Sequence, residues 1–376
     1  MNKPIKILVH GMTGNPGGME SCIMNYYRNI SPEKIQFDFL GVNQEPVYRQ
    51  EIVNRNSKVY LIPGRRRYDT HCRELNAIFK ENRYDGLWSN RCSLPGTVPL
   101  FKIARKHNVP LRILHAHNTN NMTPGVSSKI FHEIDKYRIE KYTTDYWACS
   151  DKAGEYFFNE KAIKSPLYRI INNAIDADKF KFDGTVRDNT RKALKLDGKL
   201  VIGHVGRFHF QKNHQFLMRV FHEIYKKEPN AALLLIGDGE LRPKIENMTK
   251  SLNLTGAVHF LGARYDIPAL LNAMDVQVFP SKFEGLGISL IEAQAASLHS
   301  FASTEVPKEA KITGCLSFVE LKKSPAEWAK LILAKRNYKR EDTTEEIRKA
   351  GYDIKTEAAK LEQYLIDRSD SIHANN

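Results

Sequence analysis

Phe279-Pro280-Ser281-Lys282-Phe283-Glu284-Gly285-Leu286-Gly287-Ile288-Ser289-Leu290-Ile291-Glu292-Ala293-Gln294-Ala295-Ala296 reads as a strand, a loop and a helix in direct succession. Val276 and Val278 belong to a short strand that ends at Phe279-Pro280. Gly285 and Gly287 then let the backbone turn sharply and approach a ligand closely. From Ile288 the apolar residues fall at 288, 291, 295 and 298, which is a helical spacing. The free N–H groups at the start of that helix form an anion site. Glu284 stands in the loop and Glu292 on the first turns of the helix, so a carboxylate lies on each side of the phosphate-binding turn. A ligand that combines hydroxyl groups with a diphosphate suits this arrangement, and a sugar nucleotide is such a ligand.

The Glu-x7-Glu element written around Glu284-Gly285-Leu286-Gly287-Ile288-Ser289-Leu290-Ile291-Glu292-Ala293 resembles the signature of the retaining glycosyltransferases of family 4, and in particular the bacterial capsular and exopolysaccharide enzymes. A second motif supports the resemblance. Leu200 to Val205 reads as a strand, and the loop leaving it begins Gly206-Arg207-Phe208-His209-Phe210-Gln211-Lys212-Asn213. A guanidinium and an ammonium five positions apart in a glycine-led loop suit two phosphates. The family's Gly-Arg-x4-Lys pattern is matched by Gly206, Arg207 and Lys212. The resemblance implies an α/β protein of the GT-B fold, with two Rossmann-like parallel-sheet domains facing across a cleft. It further implies a hexosyltransferase whose nucleotide sugar is UDP-linked and which uses no metal and no other cofactor. In that picture Glu292 holds ribose hydroxyls, and Glu284 holds the donor sugar's hydroxyls beside Phe283. Arg207 and Lys212 hold the diphosphate, and the amides of Gly285, Leu286 and Gly287 complete the pocket. The backbone around Ala263-Arg264 faces the base.

The first half of the chain shows the same alternation of strands and helical intervals. Ile5-Lys6-Ile7-Leu8-Val9-His10 is an apolar strand, followed by a loop rich in glycine that contains Gly17-Gly18-Met19-Glu20. Its spacing is not G-x-G-x-x-G, which counts against a dinucleotide dehydrogenase. It reads either as a plain tight turn or, by the resemblance, as a Gly-Gly-x-Glu turn facing the donor phosphates and the acceptor. Further strands are expected at 37–40, 59–62, 86–88, 112–115 and 145–150, and strands spaced by helices imply a parallel sheet. His115-Ala116-His117-Asn118 falls at a strand end, where such sheets bind ligands. No acid or cysteine nearby completes a metal set, and the resemblance assigns His117 to the donor sugar near the reaction centre. Asp176-Ala177-Asp178 spells Asp-x-Asp, a metal motif of another glycosyltransferase fold, and is read as coincidence.

The domain organisation follows. Residues 1–178 form the acceptor-side domain, a polar stretch at 179–198 a linker, and residues 199–345 the nucleotide-sugar domain. Residues 346–376 carry a closing helix marked by Ile354, Ala358, Leu361 and Leu365, which in GT-B enzymes packs back on the first domain, and a frayed tail from Ser369. Ser297-Leu298-His299 stands where the family usually has Gly-x-Pro, so a positive φ at 297 would be strained.

The composition bounds the remaining possibilities. With 41% hydrophobic and 27% charged residues, the chain of 376 residues can bury two cores. No apolar run approaches the ~20 residues needed to span a bilayer, and the start reads as having no signal peptide. Five scattered cysteines suit a reducing cytoplasm and argue against a zinc site. The net charge of +14 suits peripheral contact with the anionic inner face of a membrane, through 64–67 and 101–107, or serves solubility alone. Nucleic acid is not expected as a partner, since no helix-turn-helix, zinc finger or RNP-type strand is present. The expected acceptor is a saccharide or a polyprenyl-diphosphate-linked saccharide. Three rival readings remain: a GT-B sugar-nucleotide epimerase, a partner that binds a nucleotide sugar without transferring it, and a nucleic-acid-binding protein, which would show a steep salt dependence and no effect of UDP.

Overall fold

The computed structural model describes residues 3–15, 17–120 and 126–374. It divides into two compact units, one of Met1–Ala174 with Ile354–Asn376 and one of Ile175–Asp353.

The first unit is built on the strands β1 (Ile5–His10), β2 (Ile35–Val42), β3 (Val59–Ile62), β4 (Gly86–Arg91), β5 (Leu111–Ala116), β6 (Asp145–Ala148) and β7 (Tyr168–Ile170). They lie in the order β3-β2-β1-β4-β5-β6-β7, every neighbouring pair parallel. The order reverses between β1 and β4. Ile7, Val9, Trp88, Ile113 and Trp147 face Cys22, Ile23 and Tyr26 of the helix Gly18–Asn29 in one core. Ile354, Ala358, Leu361 and Leu365 of the helix Ile354–Ala374 enter the same core. That helix is also fixed by Asp145, fully buried at the start of β6, which accepts from the Tyr364 hydroxyl at 2.5 Å and from Arg368 Nε and Nη2 at 3.0 Å each. The expected frayed tail from Ser369 is therefore corrected: the helix continues to Ala374, and residues 375–376 lie outside the described ones.

The second unit contains β8 (Leu200–Val205), β9 (Ala231–Ile236), β10 (Val258–Gly262), β11 (Val276–Phe279), β12 (Ser300–Ser303) and β13 (Leu316–Val319). Their order is β10-β9-β8-β11-β12-β13, again parallel throughout, with the reversal between β8 and β11. Ala-Ala-Leu-Leu-Leu-Ile in β9 is buried along its whole length, as a strand covered on both faces requires.

The stretch 179–198, expected to be a linker, is mostly a structured part of this unit. The helix Gly184–Ala193 is capped by Asp183, whose side chain accepts from the Val186 amide. Its Arg187 and Arg191 reach Asp275 at 2.5 and 3.3 Å, and Asp275 also accepts from the Val201 amide at 2.7 Å. The polar composition that suggested a linker is thus an exposed helix face with two arginines turned inward. Ile175 pairs with Asp353, so the chain enters and leaves the unit at adjacent points. Both edges differ from the expected boundaries at 178 and 345.

Candidate functional site

In parallel sheets the carboxyl ends of all strands share one edge, and ligands gather where the strand order reverses. In the second unit this is the β8/β11 edge. Three loops are joined there by main-chain bonds. The Gly206 amide donates to Ile236 O at 2.9 Å and Phe208 N to Asp238 O at 3.0 Å, tying the loop after β8 to that after β9. Lys282 N donates to Gln211 O at 2.8 Å, tying it to the loop after β11. Glycine is required for the first of these approaches: a Cβ at Gly237, whose φ is +135°, would stand 2.3 Å from Gly206 O.

The Glu-x7-Glu element folds as a strand, a loop and a helix. Gly287 adopts φ 89° and caps the helix Ile288–Ala295, and the amides of Gly287, Ile288 and Ser289 have no backbone acceptor among the described residues. Phe283 and Leu286 are buried and anchor the loop from within, Phe283 against Phe210 with ring centres 5.8 Å apart. Gly285 is buried between them. Glu284, only 5% exposed, receives Lys212 Nζ on one oxygen at 2.7 Å and Gln211 Nε2 on the other at 3.2 Å. Gln211 Nε2 also donates to Phe283 O at 2.8 Å, and Lys212 lies 4.6 Å over the Phe279 ring. Gly206 lies against the Lys212 stem, and a Cβ there would come within 3.2 Å of Lys212 Cδ. Asn213, the residue after Lys212, is left-handed at φ 56° and opens the helix His214–Lys227. Asparagine tolerates that conformation.

Glu292 lies half-buried in the second turn of the helix Ile288–Ala295, and its carboxylate has no hydrogen-bond partner among the described residues. Burial raises its pKa to about 7, against a smaller downward pull from Lys179. Other polar atoms of this edge are also unpartnered among the described residues, His204 Nε2 and Ser281 Oγ among them, but Glu292 is the carboxylate.

Sequence reasoning did not find Gln211, which fixes Glu284 from the x4 interval between Arg207 and Lys212, where the pattern leaves side chains free. Two expected site residues hold acidic partners of their own. Arg207 does not stand with Lys212 as one clamp: it pairs with Glu240 at 3.2 Å and is exposed, while Lys212 is tucked against Glu284. The Arg264 side chain, after β10, turns outward to a two-pronged pair with Asp266 at 2.6 and 2.7 Å.

His117, Gly17 and Gly18 belong to the first unit. His117 follows β5 and is buried; its Nε2 meets Asn90 Oδ1 at 2.9 Å. Since that oxygen only accepts, the network assigns the proton to Nε2 and leaves Nδ1 as an acceptor with no partner among the described residues. Burial lowers its pKa to about 3, so the ring is neutral. Gly17 precedes the helix opened by Gly18, and a Cβ at Gly17 would meet the Glu20 carboxylate at 2.7 Å. Glu20 closes the loop, accepting from Thr13 Oγ1 at 2.8 Å. Asp176 and Asp178 have structural partners: Asp176 caps the helix Ala177–Phe180 and Asp178 pairs with Arg348. Among the described residues no three His, Cys, Asp or Glu side chains converge as a metal set.

Comparison with known proteins defines the class. The model of the family Glycosyl transferases group 1 matches residues 186–350. The putative glycosyltransferase EpsF of Bacillus subtilis (strain 168) is 31% identical over 373 residues, covering 96% of each chain. The UDP-Gal:alpha-D-GlcNAc-diphosphoundecaprenol alpha-1,3-galactosyltransferase of Escherichia coli is 25% identical over 287 residues, covering 71% of this chain and 72% of that one. Among solved structures, Anabaena HepE in complex with UDP superposes with a TM-score of 0.77 at 17% identity, over 96% of this chain and 100% of that one. The fold is GT-B. The chain belongs to the group 1 glycosyltransferases.

Proposed function

We propose that the chain is a retaining hexosyltransferase of family 4 that moves a sugar from a UDP-linked donor to a saccharide or lipid-diphosphate-linked acceptor in surface or exopolysaccharide assembly. The observation that carries this reading is the Lys212–Glu284 pair beside the Gly287-capped helix, at the β8/β11 edge. It combines a cation and free amides for a diphosphate with carboxylate oxygens for hydroxyl groups, all on loops fixed to one another. The Escherichia coli UDP-Gal:alpha-D-GlcNAc-diphosphoundecaprenol galactosyltransferase and the Anabaena HepE complex with UDP support the choice of nucleotide and acceptor class.

In this reading the bond from the anomeric carbon to the diphosphate breaks while the acceptor oxygen attacks the same face of the sugar. A diphosphate oxygen takes the acceptor's proton. Charge building on the diphosphate is met by Lys212, by Arg207 once released from Glu240, and by the amides at 287–289, with no metal or other cofactor. Glu284 and neutral His117 accept hydrogen bonds from donor-sugar hydroxyls, and Glu292 accepts from the ribose. The Ala263-Arg264 backbone meets the base. The reaction is placed in the cytoplasm, with peripheral contact to anionic membrane and no nucleic acid partner.

The test is UDP release from a panel of UDP-sugars by the wild type, Glu284→Ala and Arg207→Ala. One sugar should be hydrolysed without acceptor, with the rate reduced at least tenfold in both variants. No release from any sugar, together with no UDP binding by calorimetry, would overturn the UDP assignment. An epimerised sugar nucleotide in place of free UDP would favour the epimerase reading.

A further inference from the structure

The strand order of the first unit reverses between β1 and β4, and the carboxyl edge there holds a pocket of about 710 Å³. Arg65, Arg66, Arg67 and Arg91 line it, and none of its lining residues is acidic. His10 and His71 add no charge of opposite sign, and burial together with the nearby Arg91 holds the His10 pKa down at about 3.

Two of these guanidinium groups are fixed by the backbone. Arg91, the last residue of β4, donates from Nε to Ser93 O at 3.1 Å and has no carboxylate partner among the described residues. Burial, and then the neighbouring Arg65, lower its pKa to about 10. Arg65 donates from Nη2 to Pro95 O at 3.3 Å and lies directly on the main chain of Gly96. Gly96 has φ +76°, and a Cβ there would overlap Arg65 Nη1 at 1.3 Å, so a side chain at 96 is incompatible with this position of the guanidinium. Two like charges are thus held near enough to act on each other, and beyond these main-chain bonds neither guanidinium has a side-chain hydrogen bond among the described residues. Arg65 is exposed and Arg91 half-buried, so Arg91 is the cation partly withdrawn from water without a paired carboxylate among the described residues. A bound anion would offset that cost, and forked guanidinium donors match phosphate oxygens.

We propose that this pocket is a second anion site, which takes the diphosphate of a diphosphate-linked acceptor on the guanidinium groups of Arg65 and Arg91, with Arg66 and Arg67 at its rim. The proposal deepens the glycosyltransferase reading and rests on it for the word acceptor. The anion site itself rests on the pocket alone.

The test is calorimetric titration of the full chain with inorganic pyrophosphate in the presence of saturating UDP, which occupies the donor site. The wild type should bind one pyrophosphate per chain. Arg65→Gln and Arg91→Gln should each weaken that binding at least tenfold, whereas Arg65→Lys, which keeps the charge, should weaken it less. Retained circular dichroism and thermal transitions would show that the variants fold. A separate UDP titration of the wild type and Lys212→Ala checks the donor reading, so its failure is seen independently. No pyrophosphate binding beside UDP, or binding indifferent to both Gln substitutions, would overturn the proposal. A third arm uses vesicles of phosphatidylglycerol. If the Gln variants lose vesicle binding while pyrophosphate binding is unchanged, the arginines read a lipid headgroup and the acceptor site is refuted.

Discussion

Glu292 carries a desolvation cost that hydrogen-bond donors reaching its carboxylate would offset. Its pKa is raised to about 7 by desolvation at a half-buried place with no hydrogen-bond donor among the described residues, against an ordinary value of 4.5. The native state therefore keeps the proton longer than the unfolded state. As pH rises from about 4.5 to about 7 the unfolded chain binds fewer protons, and stability falls; above about 7 the loss is complete. The slope of Tm against pH in that window should flatten in Glu292→Gln, with the variant equal to or more stable than the wild type at pH 8. Ribose hydroxyls would supply the missing donors, so the same substitution should weaken UDP at pH 8 by about tenfold, the scale of one hydrogen bond to a charged acceptor. Parallel melting profiles for the two proteins would mean that Glu292 titrates normally. The two acids of the motif were legible in the sequence, but their difference was not. Glu284 gains Lys212 and Gln211 from a loop 72 and 73 residues away, a pairing that only the sheet order creates.

At the scale of the element, the helix Ile288–Ala295 ends in a way the sequence had marked as unusual. Ser297 has φ 51°, and the bonds Leu298 N→Ala293 O at 2.8 Å and Ser297 N→Gln294 O at 2.9 Å form the Schellman pattern, in which glycine usually holds the left-handed position. The Ser297 hydroxyl accepts from the Glu341 amide at 3.0 Å, which a glycine there would not do. Ser297→Gly should relieve about 1 kcal/mol of backbone strain and lose one hydrogen bond of about 1 kcal/mol, a near-neutral exchange. Ser297→Ala keeps the strain and loses the bond, so it should be the worse variant by about 1 kcal/mol in urea unfolding. The reverse order would show that the hydroxyl contributes nothing. Strain at 297 could be foreseen from the missing glycine, but its compensation could not, because Glu341 is remote in sequence. The helix at 184–193 failed to show in the sequence for the same reason. Arg187 and Arg191 look like solvated charges until the partly buried Asp275 is known to lie beside them.

At the scale of the whole molecule, the alternation of strands and helices made both parallel sheets legible, since burial on both faces leaves continuous apolar runs such as Ala231 to Ile236. The chain's path, with the last helix returning to the first unit, came from the family resemblance rather than from the spacing, and the structure bears it out. The last helix, Ile354–Ala374, completes the core of the first unit, although it follows the whole of the second in sequence. Its apolar spacing announced a helix but not its anchor. Asp145 has a fully buried side chain, and Arg368 supplies both of its nitrogen donors with a side chain 19% exposed. Arg368→Ala would leave that carboxylate with Tyr364 as its remaining side-chain partner, and removing one member of a buried pair costs about 3–5 kcal/mol. The loss should be local. Amides of β1 and β5, in the first core, should exchange hydrogen faster in Arg368→Ala, while those of β8 and β9, which belong to a separate core, should keep wild-type protection. Uniform acceleration in both sheets would mean that the two units unfold as one. Unchanged protection in the first would mean that the apolar face of the helix, through Ala358, Leu361 and Leu365, suffices to hold it, and that the ion pair only selects its register.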